Sequence, residues 1–198
     1  MNFDFKAPQW SENVIIADGD YVDRVAFNLI VNFERMIGRR IPNADMARWL
    51  DCIALDGGLR EGAGSVQAIF IHSEGKAALD NFTPGNYSDA LDGKAFRDHL
   101  GEFLISAVEA KAPADPARLF VESAQLVCAA PEVKRVMLIP DADRHYDELR
   151  HALRGVADDK CVTVFAMEPM PGGNFRQEIL GYSLMSALGI RADEIKQD

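Results

Sequence analysis

The sequence predicts an α/β fold: three layers, α/β/α, around a mainly parallel central sheet, with a C-terminal helix added. Three observations predict it. Short apolar runs, Val14-Ile15-Ile16-Ala17, residues 66–71, Val136-Met137-Leu138-Ile139 and residues 161–166, suit strands buried on both faces. Amphipathic stretches long enough for crossover helices separate them. Two of the runs end in acidic doublets, Asp18-Gly19-Asp20 and Asp141-Ala142-Asp143. Carboxylates there stand at the carboxyl edge of the sheet, where open α/β folds bind ligands.

The elements follow in order. Residues 1–12 read as an extended arm whose Trp10 packs back on the body or, as the less favoured alternative, across a dimer interface, and residues 13–17 as the first strand. A helix follows over 21–37. Its apolar positions Val22, Val25, Ala26, Leu29, Ile30, Phe33, Met36 and Ile37 keep the i, i+3, i+4 rule, and Gly38 ends it. Asn43 is a candidate N-cap for a second helix over 44–55, with Trp49 in the core. Gly57-Gly58 and Gly62-Ala63-Gly64 mark a loop before the strand at 66–71, which ends at His72-Ser73. Pro84-Gly85-Asn86 marks a surface excursion. The stripe Phe96, Leu100, Phe103, Leu104 and Ala107 predicts a helix over 96–110. Pro113 and Pro116 break the chain, a helix occupies 118–130, and 136–139 is the third strand. A short helix over 146–154 points Leu149, Ala152 and Leu153 inward and stops at Gly155. Residues 161–166 form the fourth strand. Pro169-Met170-Pro171-Gly172-Gly173 is a joint, and 175–188 reads as a final amphipathic helix closed by Gly189. The expected organisation is thus an arm (1–12), one α/β domain (13–168) and a C-terminal helical appendage packed on it (169–198).

Composition narrows the function. The chain has 198 residues, 48% hydrophobic, enough for one domain with a substantial core. A net charge of −10 disfavours non-specific binding to nucleic acid or anionic membranes. Cys52, Cys128 and Cys161 are far apart, without metal-site spacing, and read as buried reduced thiols. Absence of a leader pattern and of any apolar run near the ~20 residues of a membrane span predicts a soluble, cytoplasmic protein with no membrane partner.

The acids carry the chemistry. In extended backbone Asp18 and Asp20 project to one side, as do Asp141 and Asp143. Four carboxylates gathered at one edge repel one another unless a cation, bound protons or water relieve the charge. Asp18, Asp20, Asp141 and Asp143 are therefore candidate ligands for Mg²⁺ or Mn²⁺. Asp is also common after a strand as a cap or turn former, which Asp20 and Asp143 would suit equally well.

From Glu122 to Phe165 the chain resembles the second half of a NYN domain, in the PIN-like nuclease superfamily. There an acidic residue on a helix precedes a strand ending in Gly-Asp-Ser-Asp-Phe, a helix, a Gly and a final strand. The matching text is Glu122-Ser123-Ala124-Gln125-Leu126-Val127, Val136 to Asp143, Leu149 to Gly155 and Cys161 to Phe165. Val14-Ile15-Ile16-Ala17-Asp18-Gly19-Asp20 resembles the opening strand of that family. The resemblance implies a PIN-like, Rossmannoid domain and a Mg²⁺- or Mn²⁺-dependent ribonuclease acting on single-stranded RNA, with Asp18, Glu122, Asp141 and Asp143 as catalytic acids. Pro140, Ala142 and Arg144 depart from the pattern, standing where the family has Gly, a hydroxyl residue and an aromatic.

Two other functions compete. One is a PIN-like fold without catalysis, serving as a homodimeric or partner-binding module. The other is a Toprim-like or other DxD metal- or nucleotide-binding protein, although Toprim sites carry Glu where Asp18 stands. His145 and His72 are candidates for proton transfer or phosphate contact. His99 and His151 read as exposed helical residues. No phosphate-binding glycine loop and no Ser-His-Asp set is present.

Overall fold

The computed structural model describes residues 9–195, so most of the expected arm lies outside the described residues; Trp10 does pack back on the body. Nine strands and five α-helices are present among them: β1 (Asn13–Asp18), α1 (Gly19–Ile37), β2 (Ala44–Asp45), α2 (Met46–Asp56), β3 (Gly64–Ser73), β4 (Phe82–Thr83), β5 (Ala95–Arg97), β6 (Gly101–Ala110), α3 (Pro116–Ala129), β7 (Arg135–Ile139), α4 (Ala142–Ala152), β8 (Cys161–Ala166), β9 (Arg176–Ile179) and α5 (Leu180–Ala187). A single π-helical turn, Tyr87–Leu91, sits in the excursion between β4 and β5.

Seven strands form one sheet in the order β5-β6-β3-β1-β7-β8-β9, and only β5 is antiparallel to its neighbour. Taken in chain order, the six parallel strands run 3-2-1-4-5-6, the doubly wound arrangement. Period-two alternation divides the side chains of the sheet between two cores. Ile15 and Ala17 face α1, α2 and α5; Val14 and Ile16 face α3 and α4. The expected three-layer α/β/α class with a mainly parallel sheet is therefore the architecture found. The chain changes face between β6 and β7, so the carboxyl ends of β1 and β7 flank the topological switch point, and Asp18 and Asp141 stand there.

One expected helix is a pair of strands, and a second is strand in its first part. Residues 96–110 are β5 and β6, with β6 paired to β3 along its whole length, from Gly64↔Gly101 to Ser73↔Ala110. The apolar stripe that suggests a helix also alternates: Phe103 and Ile105 are buried, while Leu104 and Val108 are exposed on the other face. Backbone contact decides the outcome. Gly101 has φ +148°, and a Cβ there would overlap the Gly64 carbonyl oxygen, so the close pairing needs glycine. Likewise 175–188 is not one helix. Arg176–Ile179 is the polar edge strand β9, and α5 begins only at Leu180. The C-terminal segment thus adds a strand to the sheet as well as a helix against α2. Trp49 Nε1 donates to Ser183 Oγ at 3.2 Å there, and its ring meets Phe82 edge-on.

Smaller corrections concern ends. Asp45, not Asn43, caps α2, accepting from Arg48 N–H at 3.0 Å. The helix expected at 146 starts at Ala142. Cys128 is buried as expected, and burial pushes its thiol up to about 11; Cys52 and Cys161 are only partly buried. No helix among the described residues is long and apolar enough to cross a membrane.

Candidate functional site

Two helices begin where two strands end. Asp18 closes β1 and N-caps α1, its Oδ1 accepting from Tyr21 N–H at 3.0 Å. Asp141 follows β7 and Pro140 and stands at the N-cap position of α4 without making a side-chain cap bond. Both helix N-termini therefore direct their partial positive charge at the crevice between β1 and β7.

Two of the expected carboxylates, Asp18 and Asp141, line this crevice, and Asp20 lies close enough to act on the charge of Asp18. Asp18 and Asp141 are each only 7% exposed. Burial pushes the Asp18 carboxyl up to about 6, against the opposing Tyr21 N–H, and the neighbouring Asp20 and Asp141 charges push the same way. Asp20 Oδ2 accepts from Ser73 N–H at 3.0 Å and from the Ser73 hydroxyl, tying the start of α1 to the end of β3. Asp141 Oδ2 pairs with Arg24 Nη2 at 3.2 Å, with Arg144 Nε farther off at 3.9 Å. The Arg24 guanidinium also lies 5.3 Å from the Tyr21 ring centroid. Asp20 Oδ1 and Asp141 Oδ1 are buried and have no hydrogen-bond partner. Gly19 between the first two acids is imposed by packing, because a Cβ there would overlap the Tyr87 hydroxyl.

Asp143 lies at the mouth, exposed on the first turn of α4. It lines a cleft of about 480 Å³ with Tyr21, Met167 and Glu168. Burial first, then the Asp143 and Asp141 charges, push the Tyr21 phenol up to about 12. Glu122 does not join the site. It sits on the solvent side of α3, paired with Arg118 at 2.8 Å. The residues of α3 that do line the crevice beside Asp18 and Asp141 are Ala117, Phe120 and Val121.

The histidines separate. His145 borders the same crevice, its Nδ1 buried without a hydrogen-bond partner and 3.9 Å from Glu148. His72 is buried at the end of β3, stacked on Tyr87 with ring centroids 3.8 Å apart. It lines a second cleft of about 380 Å³ together with Lys76, Ser88 and Glu109. His151 is exposed on α4, and His99 is exposed in the turn between β5 and β6 rather than on a helix.

A divalent cation fits this crevice in part. Oxygen donors suit Mg²⁺ or Mn²⁺, and two buried carboxylate oxygens lack any other partner. Against that, Asp18 is engaged as a cap and Asp141 by an arginine. Among the described residues the group of three that brings its ligand atoms within 4.8 Å of one another is elsewhere: Asp51, Asp98 and His99. Sequence reading singled out neither that group nor Arg24. The position of Arg24, six residues past Asp18 on a helix whose inner face carries Val22, Val25 and Ala26, was the available signal for a cation near the acids.

No curated protein and no solved structure matches the chain. A family model does match residues 7–195, and the chain belongs to that family, DUF6621, a family of unknown function.

Proposed function

We propose that the crevice between β1 and β7 is a Mg²⁺- or Mn²⁺-dependent hydrolytic site of PIN-like type, acting on phosphodiesters of single-stranded RNA. The observation that carries this reading is the pair of buried, unpartnered oxygens, Asp20 Oδ1 and Asp141 Oδ1, at the switch point of a 3-2-1-4-5-6 sheet. Asp18, Asp20 and Asp141 would hold the cation, with Asp143 at the mouth. When bound, such a cation activates water and offsets charge on phosphoryl oxygens. The chain's own groups do the rest. Arg24, which is half-exposed, exchanges its bond to Asp141 for a phosphate oxygen. His145, bordering the same space, is placed to hold a proton near the reacting ester. The test is cleavage of a labelled single-stranded RNA in Mn²⁺, compared with EDTA and with Asp141→Asn. The reading expects metal-dependent cleavage that falls at least about a hundredfold in the variant. Wild-type protein cutting no faster than Asp141→Asn would refute it.

A second reading is a PIN-like fold without catalysis that serves as a homo-oligomeric or partner-binding module. It is favoured by the Arg24–Asp141 pair, which already neutralises one acid, and by the outward position of Glu122. Under it, wild-type protein neither cuts RNA nor gains thermal stability from Mn²⁺, and sedimentation reports a dimer.

A further inference from the structure

At the opposite end of the sheet three ligand-type side chains converge. Asp51 lies on α2, and Asp98 and His99 form the turn that joins β5 to β6. One carboxylate oxygen from each acid and one imidazole nitrogen lie within 4.8 Å of one another. The turn is held in place. Asp98 Oδ1 accepts from Leu100 N–H at 2.8 Å, and the His99 carbonyl accepts from Gly62 N–H at 3.3 Å. Asp51 Oδ1 is buried and has no hydrogen-bond partner. Two carboxyls pressed together without a Lys or Arg are an unstable pair unless a proton or a cation lies between them.

We infer that Asp51, Asp98 and His99 form a binding site for a divalent transition-metal ion such as Zn²⁺, which pins α2 to the β5–β6 turn. Two carboxylate oxygens and one imidazole nitrogen are a donor set that suits Zn²⁺ better than Mg²⁺, whose sites are oxygen-only and largely water-filled. Bond lengths near 2.0–2.2 Å put tetrahedral ligands roughly 3.4 Å apart, so closure needs only a short swing. His99, the one exposed member, supplies it. The fourth position faces solvent and takes water. The site lies beside Gly101, at the amino ends of the strands, so its role is structural and separate from the Asp18–Asp141 crevice.

The test uses the full chain, stripped with EDTA and desalted. Zn²⁺ is titrated by calorimetry and by thermal unfolding, with Mg²⁺ in parallel. One equivalent of Zn²⁺ should bind at this site and raise Tm by roughly 5–10 °C at a hundredfold excess over Kd, and any stabilisation by Mg²⁺, which belongs to the Asp18–Asp141 crevice, should be unchanged by His99→Ala. Asp51→Asn and His99→Ala should each weaken Zn²⁺ binding at least tenfold, whereas Asp141→Asn should bind as wild type does. Because Asp51→Asn removes a like-charge contact, it should unfold cooperatively in EDTA at a Tm no lower than that of wild type, which separates loss of metal from loss of fold. Absence of saturable Zn²⁺ binding would overturn the inference. So would binding that survives both substitutions, or binding that Asp141→Asn abolishes.

Discussion

Asp18→Asn should stabilise the protein, and by an amount that depends on pH. The carboxyl is 7% exposed and its proton affinity rises from an ordinary 3.8 to about 6, with burial as the largest cause. At ~1.36 kcal/mol for each factor of ten in proton affinity, ionised Asp18 strains the native state by about 3 kcal/mol at pH 8. The sign follows from linkage. The folded chain holds this proton more tightly than the unfolded chain, so stability rises as pH falls from about 6 towards 3.8, and below 3.8 both states are protonated. Asparagine mimics the protonated acid. Its carbonyl can still accept from Tyr21 N–H, and Asn caps as well as Asp. In EDTA, urea denaturation of Asp18→Asn should therefore show a gain of about 2–3 kcal/mol at pH 8, with Tm higher by roughly 5–10 °C. The gain should shrink through pH 6 and vanish near pH 4. If the variant were less stable than wild type at pH 8, or its effect independent of pH, the cap would outweigh the burial and the reasoning would fail.

Two further outcomes follow from the geometry. Gly101→Ala forces a side chain at φ +148° into the Gly64 carbonyl and should cost about 2–4 kcal/mol; hydrogen exchange should show the loss first in the β3–β6 ladder. Glu122→Gln breaks only an exposed pair with Arg118, and should leave stability within about 0.5 kcal/mol and Mn²⁺-dependent RNA cleavage unchanged.

The central strands were legible because they are buried on both faces, and an apolar run has few other uses in a chain of this composition. The edges were not. β6 is covered on one face only, so Leu104 and Val108 stay apolar while exposed, and the same letters satisfy a helical stripe and a strand alternation. What separates the two is the contact between Gly101 and Gly64, 37 residues apart in sequence and unreadable from either alone. β9 hides for another reason. Arg176-Gln177-Glu178 is charged and polar, as suits a sheet edge that must not recruit another strand. Glu122 could have been placed correctly. Phe120, Ala124 and Val127 define the buried face of α3, and at 100° per residue Glu122 points about 200° away from Phe120, out to solvent.

The acids themselves pose the sharper question, because Asp after a strand is also the ordinary cap. The chain carries its own controls. Asp45 caps α2 and Asp115 caps α3, each by a bond to a backbone N–H of the first turn, and both are exposed. Capping in this protein therefore does not need burial. Asp18 makes the same kind of bond while buried between two other carboxylates, and its proton affinity shows that the bond does not offset that environment. The helix N-termini of α1 and α4 ease the charge but leave Asp20 Oδ1 and Asp141 Oδ1 unpartnered. A strained carboxylate beside two unpartnered oxygens, at the switch point of the sheet, is more than a cap requires, and strain of that kind gathers at sites that bind or react. Arg24 is then the group that decides between the two functional readings. If its bond to Asp141 is permanent, the crevice is a closed ion pair; if a phosphate draws it away, the same residues become an open acidic site.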